Sequence, residues 1–215
     1  MMRFTKAQLA AYFVAGTQDM VDHRNLPDVL EKAIKGGITA FQYREKGPNA
    51  LQGDAKRQMG EQLRNICSQA GIPFFVDDDV LLAQQLHADG VHVGQSDEAI
   101  ARVIETVPDM IIGYSCHTLK QVTLANELAA IDYIGSGPIF PTISKDDADP
   151  AVGVAGLTQL VVQAKVPIVA IGGITLANLE KVKETGVAGA AVISLLTRAS
   201  DIEKTAQTLK RTFSD

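Results

Sequence analysis

The 215-residue chain predicts an α/β fold, a single (β/α)8 TIM barrel. Three observations lead there. Eight short β-rich runs alternate with longer segments of helical apolar spacing, and strict βα alternation implies a parallel sheet covered by helices. Runs such as MIIG and PIVAI are continuously apolar, as strands buried on both faces are. An open doubly wound sheet would need about 5–6 strands and a Gly-rich first turn, but the first turn, AGTQDMVDH, has no G-x-G-x-x-G.

In order, the predicted strands are AYFVAGT (11–17), TAFQYRE (39–45), PFFVDD (73–78) and VHVGQ (91–95). They continue with MIIGYSC (110–116), DYIGSGPIF (132–140), PIVAIGG (167–173) and GAAVISLLT (189–197). Helical segments follow, such as LPDVLEKAIKGG (26–37) and LANLEKVKETG (176–186). Gly36, Gly71 and Gly186 stand where left-handed helix caps are expected. The one polar, Pro-bearing stretch is TISKDDADPAVG (142–153), read as a long loop after the sixth strand. No linker or boundary interrupts the pattern, so residues 1–215 are expected to form one domain.

Composition narrows the function. Hydrophobic residues make up 46% and charged residues 21%, which allows a core. The net charge of −5 argues against nucleic acid as the main partner. No apolar run approaches the roughly 18 residues of a membrane span, and the N-terminal segment is too mixed for a signal peptide. Cys67 and Cys116 show no metal-type spacing and read as unpaired thiols of a cytoplasmic protein. Low aromatic content and the absence of Trp suggest a core of small aliphatic side chains.

In such barrels the active site lies at the C-terminal ends of the strands. Gln42, Arg44 and Lys46 alternate there, so a continuing strand sends all three to one face. Asp77, Asp78 and Asp79 end the third strand, and Gln95 and Asp97 the fourth. Ser115, Cys116 and His117 end the fifth, and Thr142, Ser144 and Lys145 follow the sixth. Asp79 or Asp97 could simply cap a helix. Yet Asp78 and Asp97, on neighbouring strands beside Arg and Lys, also suit Mg²⁺, which shares its shell with water and substrate phosphates. Arg44 and Lys46 read as a pyrophosphate clamp that Lys145 could close. Gly172–Gly173, before a helix, and Ile193–Ser194 read as a phosphate cradle. His87 reads as a helix surface residue, and His92 as a packed histidine rather than a ligand.

FQYREKG, VDDDVLLA, ADGVHVGQSD, GYSCHT, GSGPIFPTISKDD, AIGGIT and VISLL, in this order, resemble the thiamine-phosphate synthase family over nearly the whole chain. The resemblance implies transfer of a hydroxymethylpyrimidine group from its diphosphate to the nitrogen of a hydroxyethylthiazole phosphate. Pyrophosphate leaves, and a stabilised pyrimidine cation is trapped. It implies Mg²⁺ on Asp78 and Asp97. It places Gln42, Arg44, Lys46, Ser115 and Lys145 on the pyrimidine diphosphate, with Tyr43, Glu45 and Asp77 in the same substrate-binding stretches. Thr142, Ile143, Ser144, Gly173, Ile193 and Ser194 fall to the thiazole phosphate. Arg44, Lys46, Ser115 and Lys145 form the implied catalytic set, and a homodimer is the implied assembly.

The family usually has Asn where this chain has Asp77. Asn donates a hydrogen bond and ionised Asp only accepts, so Asp77 either turns to the metal or reaches phosphate through water. Ser144 replaces a common Thr and keeps the hydroxyl. Two other classes compete: a thiazole tautomerase, in which His117 would matter and the metal would not, and a non-catalytic binder of phosphate ligands. Both Asp78 and Asp97 being present argues against the first. A binder would need the glycine turn but neither the aspartates nor Lys145.

Overall fold

The computed structural model describes residues 4–95, 98–142 and 150–214. Its eight strands are β1 (Ala11–Ala15), β2 (Ala40–Tyr43), β3 (Phe74–Asp77), β4 (Gly90–Val93), β5 (Ile111–Ser115), β6 (Tyr133–Ser136), β7 (Ile168–Ile171) and β8 (Gly189–Val192). Each pairs in parallel with the next, and β8 returns to β1, closing the barrel. The helices are α1 (Leu26–Lys35), α2 (Gly53–Ala70), α3 (Val80–Gln85), α4 (Ile100–Thr106), α5 (Leu119–Ala125), α6 (Gly153–Gln163), α7 (Leu179–Lys183), α8 (Ser194–Thr197) and α9 (Ile202–Phe213).

The strand period of two sorts every side chain to one of two cores. Ala11, Phe13, Phe41, Phe74, Val76, Val91, Ile112, Ile134, Ala170 and Val192 pack outward against the helices. Tyr12, Val14, Ala40, Phe75, Ile111, Tyr133, Val169 and Ala191 fill the barrel interior. The same parity carries Gln42 and Arg44 inward at the end of β2 and turns Tyr43 and Glu45 outward.

The interior corrects the expectation of a small aliphatic core. Tyr12, Phe75 and Tyr133 meet at centroid distances of 5.4–6.1 Å and plug the barrel. Phe4 stacks on Tyr133 at 5.7 Å. A few aromatics suffice because they are concentrated where they seal the barrel. Room for them comes from Gly113: a Cβ there would lie 2.3 Å from Tyr133 Cζ and 2.4 Å from His92 Nδ1.

Several boundaries differ from the sequence reading. Strand β6 stops before Pro138, which has no N–H for the ladder. The run expected as strand eight is strand only to Val192; Ile193 breaks it and Ser194–Thr197 forms α8. Gly36 is right-handed, and Gly37 takes the positive φ of 91°. Gly36 is instead required by packing, since a Cβ would meet Glu203 O on α9 at 2.3 Å. Gly71 and Gly186 are left-handed as expected. His87 lies just past α3, exposed, at φ 48°. Among the described residues no helix is long and apolar enough to cross a membrane.

Candidate active site

The C-terminal strand ends surround a cavity of about 470 Å³. Gln42, Arg44 and Lys46 line it from β2, Asp77 and Asp78 from β3, and Ser115 and His117 from β5. Thr142, Gly172, Gly173, Ile193 and Ser194 line it from the side of β6–β8. One cavity therefore unites the cationic Arg44 and Lys46 on one wall with the glycine turn on another. Asp97, Ile143, Ser144 and Lys145 lie outside the described residues.

The three consecutive aspartates do three different things. Asp77 ends β3 and faces Arg44, with Nε 3.4 Å from Oδ2. Asp78 adopts φ 62°, a left-handed conformation that Asp tolerates better than most residues. Its carboxylate accepts from Lys46 Nζ at 2.6 Å, and its N–H donates to His92 O at 2.8 Å. Asp79 caps α3, accepting from Leu82 N at 2.9 Å, and pairs with Lys56 Nζ at 2.9 Å. Each carboxylate thus has its own cation, and the left-handed step at Asp78 separates a strand end from a helix cap. Burial opposes ionisation of Asp79, but the bonds from Lys56 and Leu82 outweigh it and hold the carboxyl below its usual range.

The donors suit a hard divalent ion. Asp78 presents carboxylate oxygen to the cavity with Lys46 beside it. Among the described residues no three His, Cys, Asp or Glu side chains converge into a metal cluster. Mg²⁺ takes such hard carboxylate oxygen together with water and substrate phosphates.

Two residues expected at the substrate lie behind the cavity wall. Tyr43 and Glu45 do not line the cavity, because they take the outward positions beside Gln42, Arg44 and Lys46. Tyr43 is buried and its hydroxyl donates to Lys56 O at 3.2 Å. Glu45 is also buried, accepting from Thr17 N at 2.9 Å, Thr17 Oγ1 at 2.5 Å and Leu51 N at 2.7 Å. Glu45 thereby ties the loop after β1 to the loop after β2.

Tyr12 and Tyr133, which the sequence reading did not single out, also line the cavity, as does His92, read there as a packed histidine. His92 occupies an inner position of β4, with Nδ1 3.1 Å from Tyr133 Oη and Nε2 2.9 Å from Ser115 Oγ. Tyr133 Oη is 2.9 Å from Tyr12 Oη, which accepts from Gln42 Nε2 at 3.2 Å. The parity of each strand was the available signal. Cys116 is buried and its thiol is pushed up to about 12 by burial, which makes it a poor nucleophile at neutral pH. Cys67, also free and buried, is raised as well by burial.

Residues 11–196 match the family model described as thiamine monophosphate synthase. The thiamine-phosphate synthase of Levilactobacillus brevis is 52% identical over 213 residues, 98% of each chain. That of Lactiplantibacillus plantarum is 53% identical over 209 residues, 97% of this chain and 96% of the relative. The structure of thiamine phosphate pyrophosphorylase from Pyrococcus furiosus superposes with a TM-score of 0.85 at 34% identity, covering 97% of this chain and 96% of the other. With a closed (β/α)8 barrel, a cavity walled by Gln42, Arg44 and Lys46, and relatives matched nearly end to end, this chain belongs to the thiamine monophosphate synthase family.

Proposed function

We propose that this thiamine-phosphate synthase works by a dissociative route in which its own residues stabilise the leaving group and supply no nucleophile. The carbon–oxygen bond between the pyrimidine methylene and the diphosphate breaks, and its electron pair leaves with the diphosphate. The thiazole nitrogen then donates its lone pair to the methylene carbon, giving thiamine phosphate. The observation that carries this reading is that Arg44 and Lys46 line one cavity with Asp77 and Asp78, beside Ser115 and facing the Gly172–Gly173 turn.

Arg44 and Lys46 meet the negative charge that grows on the departing diphosphate, which is electrostatic stabilisation of the transition state. Ser115 donates a hydrogen bond to the same group. Gln42, buried beneath Arg44, orients the pyrimidine. Gly173, Ile193 and Ser194 hold the thiazole phosphate, with Thr142 beside them, and Ile143 and Ser144 join this set. Asp77, already facing Arg44, sets how much of that guanidinium's charge is offered to the diphosphate. Asp78 and Asp97 would hold Mg²⁺, which would supply further positive charge at the diphosphate. Lys145 joins Arg44 and Lys46 as a cation for the diphosphate.

Residues 1–215 act in this reading as one domain, in a cytoplasmic homodimer with no nucleic-acid or membrane partner. Light scattering on the purified protein tests the dimer, and a monomer at micromolar concentration would overturn it.

The chemistry is tested with both substrates, with and without Mg²⁺, measuring thiamine phosphate and pyrophosphate. Product is expected only with Mg²⁺ and is expected to be lost in Asp78→Ala. Full turnover in a metal chelator, or an unimpaired variant, would overturn the assignment.

A further inference from the structure

The barrel interior holds a continuous hydrogen-bond chain that crosses five strands. It runs from Gln42 on β2 to Tyr12 on β1, to Tyr133 on β6, to His92 on β4, and to Ser115 on β5, with steps of 3.2, 2.9, 3.1 and 2.9 Å. Neither tyrosine is more than 1% exposed. We propose that this chain is a one-way relay in which Tyr12, Tyr133 and His92 act as positioning residues, fixing the imidazole as its Nε2–H tautomer and aiming the Ser115 hydroxyl proton into the cavity.

The direction follows from counting protons. A phenol has one proton to give, and a buried donor left without an acceptor costs about 1–3 kcal/mol. Tyr12 Oη accepts from Gln42, so its proton goes to Tyr133 Oη. Tyr133 Oη has then accepted, so its own proton goes to His92 Nδ1. A neutral imidazole that accepts at Nδ1 carries its proton on Nε2. That proton goes to Ser115 Oγ, whose own proton is left for the cavity. Burial raises both tyrosines well above the ordinary phenol value, so both remain protonated donors across the working pH range.

Packing holds the chain in place. Gly113 and Gly135 lie on the inner faces of β5 and β6, and a Cβ at either would come within 2.4–2.8 Å of the His92 ring. His92 and Tyr133 lie with centroids 5.5 Å apart. A serine hydroxyl can rotate to donate or accept, and a hydroxyl that faces an anion must donate. The relay removes the alternative in which Ser115 spends its proton on His92. The link from Ser115 to the departing diphosphate rests on the proposed function, whereas the relay itself does not.

The deciding experiment is ¹⁵N NMR of the histidine side chains in the substrate-free protein, at a pH where His92 is neutral. The wild-type protein is expected to show His92 as a single Nε2–H tautomer. Tyr133→Phe removes the oxygen that donates to Nδ1 and keeps the ring. A mixture of tautomers is expected, a change that a purely space-filling Tyr133 would not produce. Tyr12→Phe leaves His92 Nδ1 as the acceptor for the Tyr133 proton, so the single Nε2–H tautomer is expected to persist there. An Nδ1–H tautomer in the wild type or in Tyr12→Phe, or an unchanged single tautomer in folded Tyr133→Phe, would overturn the relay. In kinetics, Tyr133→Phe is expected to lower kcat/KM for the pyrimidine diphosphate roughly tenfold, with the KM for the thiazole phosphate unchanged. An Nε2–H tautomer together with an inert wild-type enzyme would overturn the reaction reading and leave the relay standing.

Discussion

Arg44 Nε lies 3.4 Å from Asp77 Oδ2 at the cavity wall, with both side chains about nine-tenths buried. That separation exceeds the 2.7–2.9 Å of a tight charge-assisted bond, so the pair is loose. Asp77 compensates the charge of Arg44 in the resting protein, and the guanidinium is poised to engage a more highly charged partner. In Asp77→Asn the compensation is gone. Inorganic pyrophosphate is expected to bind several-fold more tightly by calorimetry, and the free protein to lose about 1–3 kcal/mol in urea unfolding. Unchanged pyrophosphate affinity would mean that Arg44 does not face the anion.

The backbone and the charge of Asp78 can be separated by two substitutions. Asp78→Gly relaxes the left-handed φ of 62° and removes the carboxylate. Asp78→Asn keeps a side chain that tolerates this conformation and removes only the charge. Both are expected to fold with wild-type stability to within about 1 kcal/mol and to lose at least about 100-fold in Mg²⁺-dependent turnover. A fully active Asp78→Asn would show that the carboxylate holds no metal.

Acid should weaken the α3 end of the site through Asp79. Its folded pKa is depressed, so the contribution is fully present above the ordinary Asp value and is lost as pH falls through the lowered value. At neutral pH, Asp79→Ala is expected to cost about 1 kcal/mol, the scale of a lost helix cap. The gap between wild type and variant should shrink in acid. A gap that stays constant across the acid limb would place the loss in packing instead of in the cap and the ion pair.

Gly113 is expected to tolerate no side chain. A Cβ would sit 2.4 Å from both His92 Nδ1 and Tyr133 Oη, where neither ring can retreat through the opposite barrel wall. Gly113→Ala should therefore cost about 1–3 kcal/mol by overpacking, measured by thermal unfolding. A substitution without effect would show that the interior is looser than the contacts imply.

Glu45 offers a control outside the cavity. It receives three hydrogen bonds from the loops after β1 and β2. Glu45→Ala is expected to destabilise by about 2–3 kcal/mol, through buried N–H groups left unsatisfied. It should raise KM for the pyrimidine diphosphate as the rim around Arg44 loosens. A stable variant with altered kcat alone would return Glu45 to direct contact with substrate.

The alternation of β-rich and helical runs determined a parallel sheet covered by helices, and eight such units without a Gly-rich first turn pointed to its closure into a barrel. Strand period also determined that Gln42, Arg44 and Lys46 share the cavity wall, and that same rule applied to Tyr43 and Glu45 would have turned them outward. The remainder depended on tertiary structure. Tyr12, His92 and Tyr133 come from three separate strands, and only closing the barrel brings Tyr133 Oη to 2.9 Å from Tyr12 Oη and 3.1 Å from His92 Nδ1. The run Asp77–Asp79 reads as one acidic patch in the sequence. Folding splits it into a strand end, a left-handed turn and a helix cap, each opposite a cation from the loop after β2 or from α2. Local sequence encodes which face a side chain takes. Which partner it meets across the barrel is decided by strand closure and register, which no local pattern contains.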